Sequence, residues 1–145
     1  MALLKIKKLP HNQNIPAYQT EGSAGMDLCA AISEPTTLNP FERKLIPTGL
    51  VIELEKGYEA QIRARSGLSI KHGITLINCV GTIDSDYRGE VCVGLINLSN
   101  EPYTIKPQER IAQMIIAKYE KVDIEIIEEL SDTKRGAGGF GSTGS

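Results

Sequence analysis

The segment 81–90, GTIDSDYRGE, holds the densest group of reactive side chains in the chain. Within five residues it carries the carboxylates of Asp84 and Asp86, the phenol of Tyr87 and the guanidinium of Arg88. A carboxylate can take a proton from water, and an arginine can bind a phosphate or another carboxylate. Asp, Ser and Gly are also common turn residues. The segment alone therefore leaves two interpretations open, a catalytic loop and a solvated turn.

Two apolar, β-branched runs flank this segment, residues 74–80 before it and residues 91–96 after it. This pattern predicts a strand, a hairpin and a second strand, with Gly81 at the start of the hairpin. Binding and catalytic groups concentrate on loops held by rigid strands. Asn78 lies on the first predicted strand, which is otherwise apolar. An inward-facing amide must be hydrogen bonded, so Asn78 predicts either a backbone contact or a ligand that offers both a donor and an acceptor.

The triplet Arg65-Ser66-Gly67 is a second candidate site, for an anion. It begins the best local helix candidate, residues 66–72, with Ser66 as the predicted N-cap and Gly73 as the left-handed residue at the end. A helix N-terminus, a hydroxyl and an arginine together favour phosphate binding. Simple helix capping explains the same residues equally well.

Two further polar residues stand in apolar surroundings. Asp27 is a lone acid within AGMDLCAA, and it is either a turn residue or a residue that holds a metal ion through water, because Mg²⁺ keeps several of its waters. Gln113, within ERIAQMII, raises the same question as Asn78.

The C-terminal segment RGAGGFGSTG, residues 135–144, is rich in glycine. Glycines let backbone N–H groups converge on an anion, and Arg135, Ser142 and Thr143 add donors. A flexible tail is the alternative. Phe140 favours ligand binding, because an aromatic ring in such a segment has no core to join.

Composition describes a single globular domain. The chain has 145 residues, 41% hydrophobic and 23% charged, and its net charge of −2 gives no basic surface for duplex nucleic acid. We expect neither a signal peptide nor a membrane span. The three cysteines have no C-x-x-C spacing, and neither histidine lies near one of them in sequence. A zinc site is therefore not expected, and reduced cysteines predict a cytoplasmic protein.

Short apolar segments separated by Pro and Gly predict an all-β sandwich or barrel. Besides the two strands around the hairpin, the predicted strands are residues 4–9, 23–31, 44–54 (as strand, turn, strand), 58–65, a short strand within 97–107, 109–119 and 122–130. Residues 109–119 could also be helical by propensity, and the isoleucine content and the lack of a good cap favour a strand. Residues 131–145 contain almost no apolar residue, so we expect them to be disordered when alone.

Five of these segments, in this order, resemble the motifs of a known family. They are AGMDL at 24–28, RSGL at 65–68, Asn78 with GTIDSDYRGE at 78–90, ERIAQ at 109–113 and RGAGGFGSTG at 135–144. The set is similar to the five motifs of the trimeric deoxyuridine triphosphatases, and the resemblance covers residues 5–144.

The resemblance implies an all-β, jelly-roll-like β-barrel subunit with one short helix, assembled as a homotrimer with shared active sites. Residues 1–130 would form the catalytic barrel, and residues 131–145 a flexible arm that closes an active site. The implied reaction converts dUTP and water to dUMP and pyrophosphate with Mg²⁺, which keeps uracil out of DNA and supplies dUMP for thymidylate synthesis.

The resemblance also implies residue roles. Asp84 corresponds to the base that activates water, and Asp27 to the acid that holds the metal through water. Asn78 corresponds to the amide that binds uracil, and Tyr87 to the ring under the deoxyribose. We expect a structural role for Asp86.

The remaining positions correspond to substrate-binding residues. The phosphate positions are Arg65, Ser66, Gly67 and Gln113. Gly81 belongs to the hairpin backbone around uracil. The closing arm contributes Arg135, Phe140, Gly141, Ser142 and Thr143, with Phe140 over the base.

Two alternatives remain. A dCTP deaminase shares the barrel, but its pattern differs from IDSDY at 83–87. A non-catalytic interaction module would show a degraded motif, and none of the five is degraded.

Overall fold

The structure is a computed structural model that describes residues 2–140. Short strands dominate these residues, and the helix is only two turns long. In chain order the elements are β1 (Leu4–Lys8), β2 (Met26–Cys29), β3 (Thr36–Leu38), β4 (Arg43–Leu54), β5 (Tyr58–Ala64), α1 (Ser66–His72), β6 (Ile74–Leu76), β7 (Val80–Ile83), β8 (Glu90–Asn97), β9 (Tyr103–Ile105) and β10 (Arg110–Lys118). Among the described residues, no helix has the length and apolar character needed to cross a membrane.

Two four-stranded antiparallel sheets enclose the core. One has the strand order β1-β4-β8-β6 and the other β2-β10-β5-β7, while β3 and β9 form a separate pair. Strand β8 shows why the sequence folds this way, because its residues alternate strictly between buried and half-buried positions. Val93 and Leu95 from the first sheet and Leu28, Ile62 and Met114 from the second are almost completely buried. Each such side chain contributes about 1.5–3 kcal/mol through burial.

Strand β7 occupies an outer position in its sheet. It pairs with β5 on one side, and no strand of the described residues pairs with its other side. The backbone groups along that free edge are therefore available to a partner outside this sheet.

The predicted simple hairpin around residues 81–90 is wrong in its pairing. The two flanking runs do meet, because β6 pairs with β8 from Ile74↔Asn97 to Leu76↔Leu95. Residues 80–83, however, leave that sheet and pair with β5 as β7. The segment 77–89 is therefore an excursion between two sheets, a pairing that local periodicity does not specify.

The predicted turn inside residues 44–54 is also wrong. These residues belong to one long strand, β4, whose register with β8 shifts between Pro47 and Val51. Gly49 has a φ of 68° at this irregularity, and a Cβ there would come within 2.6 Å of Cβ of Asn12. The amide of Asn12 is buried and donates to the carbonyl of Thr48 at 2.8 Å. The chain therefore continues as one strand through Gly49, and the loop residue Asn12 packs against it where a turn was expected.

The strand predicted at residues 122–130 is absent, since these residues form no strand in the described chain. Val122, Ile124 and Ile126 are exposed at 75%, 88% and 95%. An alternating pattern needs a sheet edge to pair with, and this segment meets none within the described residues.

The helix is confirmed, and its predicted N-cap is wrong. Helix α1 spans Ser66–His72 and ends at Gly73, whose φ of 67° is left-handed as predicted. The N-cap is Arg65, and no side chain caps the helix N-terminus. The hydroxyl of Ser66 is therefore not used in the way capping would require.

Candidate active site

Two of the predicted site residues are paired across neighbouring strands. Gln113 on β10 lies directly opposite Asp27 on β2, and on its other side opposite Arg63 on β5. Directly paired residues point to the same face of a sheet. Asp27 and Gln113 are half-buried on this outward face, so the strand register brings them together.

Arg65 follows β5 and reaches the same place. Its Nε lies 3.1 Å from Oδ1 of Asp27, and its Nη1 donates to the carbonyl of Arg110 at 2.9 Å. The side chain of Asp27 is only 12% exposed, and that of Arg65 24%. Ser66 and Gly67 are exposed at the start of α1, where backbone N–H groups have no partner within the helix. The arrangement offers an arginine, a hydroxyl and free N–H donors to one anion.

Asp27 fits a Mg²⁺ ion that is held mainly by other ligands. Its Oδ1 is buried and accepts no aligned hydrogen bond, although Nε of Arg65 lies at ion-pair distance. Residues 2–140 contain no group of three or more His, Cys, Asp or Glu residues that could hold a metal ion. Mg²⁺ commonly keeps several waters and takes one or two carboxylates together with substrate phosphates. Asp27 would therefore supply one carboxylate to a bound Mg²⁺, and water and substrate would supply the other ligands.

Asn78 is exposed in a turn, and its predicted place on a strand is wrong. The turn is tight, since the N–H of Val80 donates to the carbonyl of Asn78 at 2.7 Å around Cys79, whose φ is 62°. Gly81 follows, buried against Ile62. A Cβ on Gly81 would come 3.2 Å from Cβ of Ile62 and 3.3 Å from Nδ2 of Asn78. The glycine thus lets the Asn78 amide lie close to β7.

Asp84 opens the loop that follows β7, and it is exposed. Its carbonyl accepts a hydrogen bond from the N–H of Tyr87 at 3.1 Å, which closes a turn. Asp84 and Asp86 both lie on the wall of a cavity of about 630 Å³. The cavity is lined by Leu54, Lys56, Glu59, Asp84, Ser85, Asp86, Arg88, Tyr119 and Lys121. The carboxylate of Asp84 can therefore meet a water molecule and a ligand from solvent.

Two residues fix the shape of this loop. The Tyr87 hydroxyl donates to the carbonyl of Glu90 at 3.1 Å. Nη1 of Arg88 donates to the carbonyls of Ser85 and Tyr87 at 2.7 and 2.9 Å. The sequence interpretation gave Arg88 no role. An arginine inside a turn with several carbonyl groups was the signal for it, because a guanidinium carries five donors.

Asp84 and Arg65 lie at opposite ends of β5. Ile83, just before Asp84, pairs with Ala60 near the start of β5, whereas Arg65 follows its end. Five residue steps along the extended chain lead from Ala60 to Arg65, roughly 16 Å. Asp84 and Arg65 of one chain are therefore positioned by different ends of the same strand.

The side chains in the described part of the tail, residues 131–140, form no hydrogen bond to Asp84 or to the cluster of Asp27, Arg65 and Gln113. Arg135 donates from Nε to the carbonyl of Gly138 at 2.8 Å. Phe140 is fully exposed, so its ring packs against no other described residue. Gly141, Ser142 and Thr143 lie outside the described residues.

The fold defines the class of the molecule as an antiparallel, jelly-roll-like β-barrel, with clusters of polar side chains on its strands and loops. The family model for dUTPase matches residues 11–144, nearly the whole chain. The chain belongs to the dUTPase family.

Individual relatives agree with this family. The chain is 62% identical over 141 residues to the deoxyuridine 5′-triphosphate nucleotidohydrolase of Nautilia profundicola, covering 97% of this chain and 98% of the relative. It is 58% identical over 142 residues to the enzyme of that name from Finegoldia magna, covering 97% and 99%. Among solved structures, a mutant dUTPase of Staphylococcus bacteriophage 80alpha with dUpNHpp superposes with a TM-score of 0.89, at 26% identity and 99% coverage of both chains. The predicted family and the predicted all-β, jelly-roll-like fold with one short helix are confirmed.

Proposed function

We propose that the chain hydrolyses dUTP to dUMP and pyrophosphate, with Asp84 as the general base. Asp84 accepts a proton from a water molecule whose oxygen attacks the α-phosphorus. The bond from that phosphorus to the bridging oxygen breaks, and pyrophosphate leaves. The observation that carries this assignment is the solvent-accessible carboxylate of Asp84, at the end of β7 and on the wall of a cavity. A base must reach both its water and its substrate.

The triphosphate would bind at the Arg65 end of β5, beside Asp27 and Gln113. Arg65 presents a guanidinium fork, which matches phosphate oxygens. Ser66 and Gly67 add a hydroxyl and exposed N–H groups, and Gln113 adds an amide beside Asp27. Asp27 would hold Mg²⁺ through water. The ion supplies charge neutralisation of the phosphates when it is bound.

The nucleoside would lie along β7. Asn78 precedes this strand and Asp84 follows it, so a base near Asn78 can have its first phosphate near Asp84. Uracil offers O4 as an acceptor and N3–H as a donor, which an amide and the free backbone edge around Gly81 can pair. Cytosine reverses that pattern and would leave buried groups unpaired, which costs affinity. The ring of Tyr87 against the sugar would leave no room for a 2′-hydroxyl.

The separation along β5 supports active sites that are shared between copies of the chain, as in a homotrimer. Because roughly 16 Å of strand separates the Asp84 end from the Arg65 end, one nucleotide would take Asp84 from one copy and Arg65 from another. A third copy would supply Arg135, Phe140, Gly141, Ser142 and Thr143 from its arm, residues 131–145. The three free cysteines fit a reducing compartment such as the cytoplasm.

Mixed assemblies test the shared site. Asp84→Asn and Arg65→Ala are each expected to be inactive alone. Unfolding and refolding the two variants together should restore part of the activity, because some sites then receive both native residues. If the mixture stays as inactive as the separate variants at equal concentration, each site is built within one chain.

The assay for the activity itself is pyrophosphate release from dUTP, dCTP, dTTP and UTP with Mg²⁺. We expect release from dUTP alone at a substantial rate. Absence of release from dUTP would contradict the proposed function. Release of ammonia from dCTP would instead indicate a deaminase.

A further inference from the structure

Strand β10 contains a β-bulge beside the candidate phosphate site. Arg110 pairs with Cys29 and Ala112 with Leu28, so Ile111 is an extra residue in β10. As a result Ile111 and Ala112 are both buried, although neighbours in a regular strand point to opposite faces. Bulges often redirect a side chain next to a functional site.

The bulge determines which face Arg110 occupies. Arg110 and Gln113 are three residues apart, and in a regular strand their side chains would lie on opposite faces of the sheet. The extra residue instead places Arg110 on the outward face with Gln113 and Asp27. Nη1 of Arg110 donates to Oδ2 of Asp27 at 3.2 Å.

Asp27 therefore lies between two arginines, with one carboxylate oxygen near each. Oδ1 lies 3.1 Å from Nε of Arg65, and Oδ2 lies 3.2 Å from Nη1 of Arg110. The Asp27 side chain is 12% exposed, so its charge has little water and needs a cationic partner. Arg110 is 55% exposed and Arg65 24%, which makes Arg110 the partner with more access to water.

Arg65 keeps one donor group free in this arrangement. Its Nε faces Asp27 and its Nη1 donates to the carbonyl of Arg110. Nη2 has no hydrogen-bond partner among the described residues. A carboxylate without another partner can take Nε and Nη2 of one guanidinium together as a bidentate pair. That pair would use the donor that Arg65 needs for a phosphate.

We propose that Arg110 is a positioning residue for the reaction: it holds Oδ2 of Asp27, and so keeps this carboxylate from capturing the Arg65 guanidinium that binds the triphosphate. This inference rests on the proposed function. It gives Arg110 no contact with the substrate, because its effect passes through Asp27.

The test compares Arg110→Gln, Arg110→Lys and the control Arg43→Gln, which changes an exposed arginine on β4. For Arg110→Gln we expect the KM for dUTP to rise about tenfold and kcat to change less than about threefold, the range of one charged hydrogen bond. Arg110→Lys keeps the positive charge near Asp27 and should recover most of the KM. Calorimetric affinity for dUpNHpp should follow the KM, and Arg43→Gln should match the unmodified protein.

A double-mutant cycle separates positioning from direct binding. In an Asp27→Asn background the carboxylate is gone, so Arg110→Gln should change KM by less than about twofold. An equal loss in both backgrounds would overturn the proposal, because Arg110 would then contact the phosphates itself. An unchanged KM in Arg110→Gln alone would also overturn it.

A measurement without substrate keeps this inference distinct from the proposed function. The Arg65 Nε–H resonance, assigned by comparison with Arg65→Lys, should exchange more slowly with water in Arg110→Gln, because Asp27 then pairs with Arg65 more tightly. Unchanged exchange contradicts the positioning role whatever substrate the protein uses. If Arg110→Gln fails to fold, the same comparison is made with Arg110→Lys, for which we expect a smaller change in the same direction.

Discussion

The phenol of Tyr87 lies directly against the backbone of Gly89, so that a Cβ added at Gly89 would overlap the phenol oxygen and its ring carbon. The same hydroxyl donates to the carbonyl of Glu90 at 3.1 Å. The glycine is thus the reason that the ring can fold back over the loop. The position of the ring in turn determines what space is left beside it.

Gly89→Ala should displace Tyr87 and weaken the discrimination between dUTP and UTP. We expect the ratio of kcat/KM for the two substrates to fall about tenfold or more, since the ring no longer fills the space of a 2′-hydroxyl. Tyr87→Phe loses only the hydrogen bond to the carbonyl of Glu90, so we expect a smaller fall in this ratio. Gly22→Ala is the control, because its Cβ would meet nothing within 4 Å. Equal selectivity in all variants would show that the ring does not contact the sugar.

Asp84→Asn should abolish turnover and leave nucleotide binding intact. Loss of a general base lowers kcat about 10²- to 10⁴-fold, while an amide of the same shape keeps the loop. Asp86→Asn is the matched control on the wall of the same cavity, and it should keep most of its activity. Rates come from pyrophosphate release and affinities from dUpNHpp titration. The reverse ranking of the two variants would identify Asp86 as the base.

Cys79 reports on the turn that holds Asn78. Cys79 is exposed. Burial raises the pKa of the Cys29 and Cys92 thiols, and the negative charges of Asp27 beside Cys29 and Glu90 beside Cys92 raise the pKa further. A raised pKa lowers the thiolate fraction near pH 8, so iodoacetamide should modify Cys79 first.

Bound dUpNHpp should slow the modification of Cys79 and leave Cys92 unaffected. Mass spectrometry of the labelled peptides gives the three rates in one sample. Equal labelling of Cys79 with and without dUpNHpp would mean that the uracil does not bind near Asn78.

Gly49→Ala should destabilise the fold much more than Gly57→Ala. Both glycines have positive φ, 68° and 93°, so each alanine pays about 1–2 kcal/mol for conformation. Only at Gly49 would the new Cβ also meet the backbone of Asn12, at 2.8 Å, whereas at Gly57 it would meet nothing within 4 Å. We expect about 3 kcal/mol or more for Gly49→Ala by denaturant unfolding. Equal losses would mean that the Asn12 loop moves aside freely.

Deletion of residues 134–145 should leave the barrel folded and nearly inactive. The described residues of this segment are exposed or half-buried, and Phe140 is fully exposed. Removing them therefore costs little stability, and we expect the melting temperature to stay within about 2 °C. Activity should fall because the proposed closure of the arm over the nucleotide is then lost. A large drop in melting temperature would assign the tail to the core.

The local sequence pattern predicted those secondary-structure elements whose formation depends on a single segment of the chain. The alternation of residues 58–65 corresponds to strand β5, the isoleucine-rich run of residues 109–119 corresponds to strand β10, and the glycine at position 73 ends the helix as expected. These outcomes depend on side-chain period, on the β propensity of isoleucine and on one left-handed residue, all of which can be read from the sequence.

Pairing between distant segments was not predictable in the same way. The apolar run 74–80 looks like one strand, yet its first part joins β8 and its last residue joins β5. Asn78 consequently lies in the turn where the chain changes sheets. Residues 122–130 have the alternation of a strand, and they lack a partner edge in the described chain. Arg110 was missed because its direction depends on a bulge, which a regular period does not reveal.

The free edge of β7 has a consequence for how the protein survives in a crowded solution. An open row of backbone donors and acceptors is a template on which another protein's strand can grow, the usual first step of aggregation. Val80, on this strand, is 47% exposed and makes the edge more adhesive. A nucleobase seated along the edge would occupy the groups that a foreign strand needs. Bound substrate would then protect the protein against aggregation, and the protein would aggregate most readily when no nucleotide is bound.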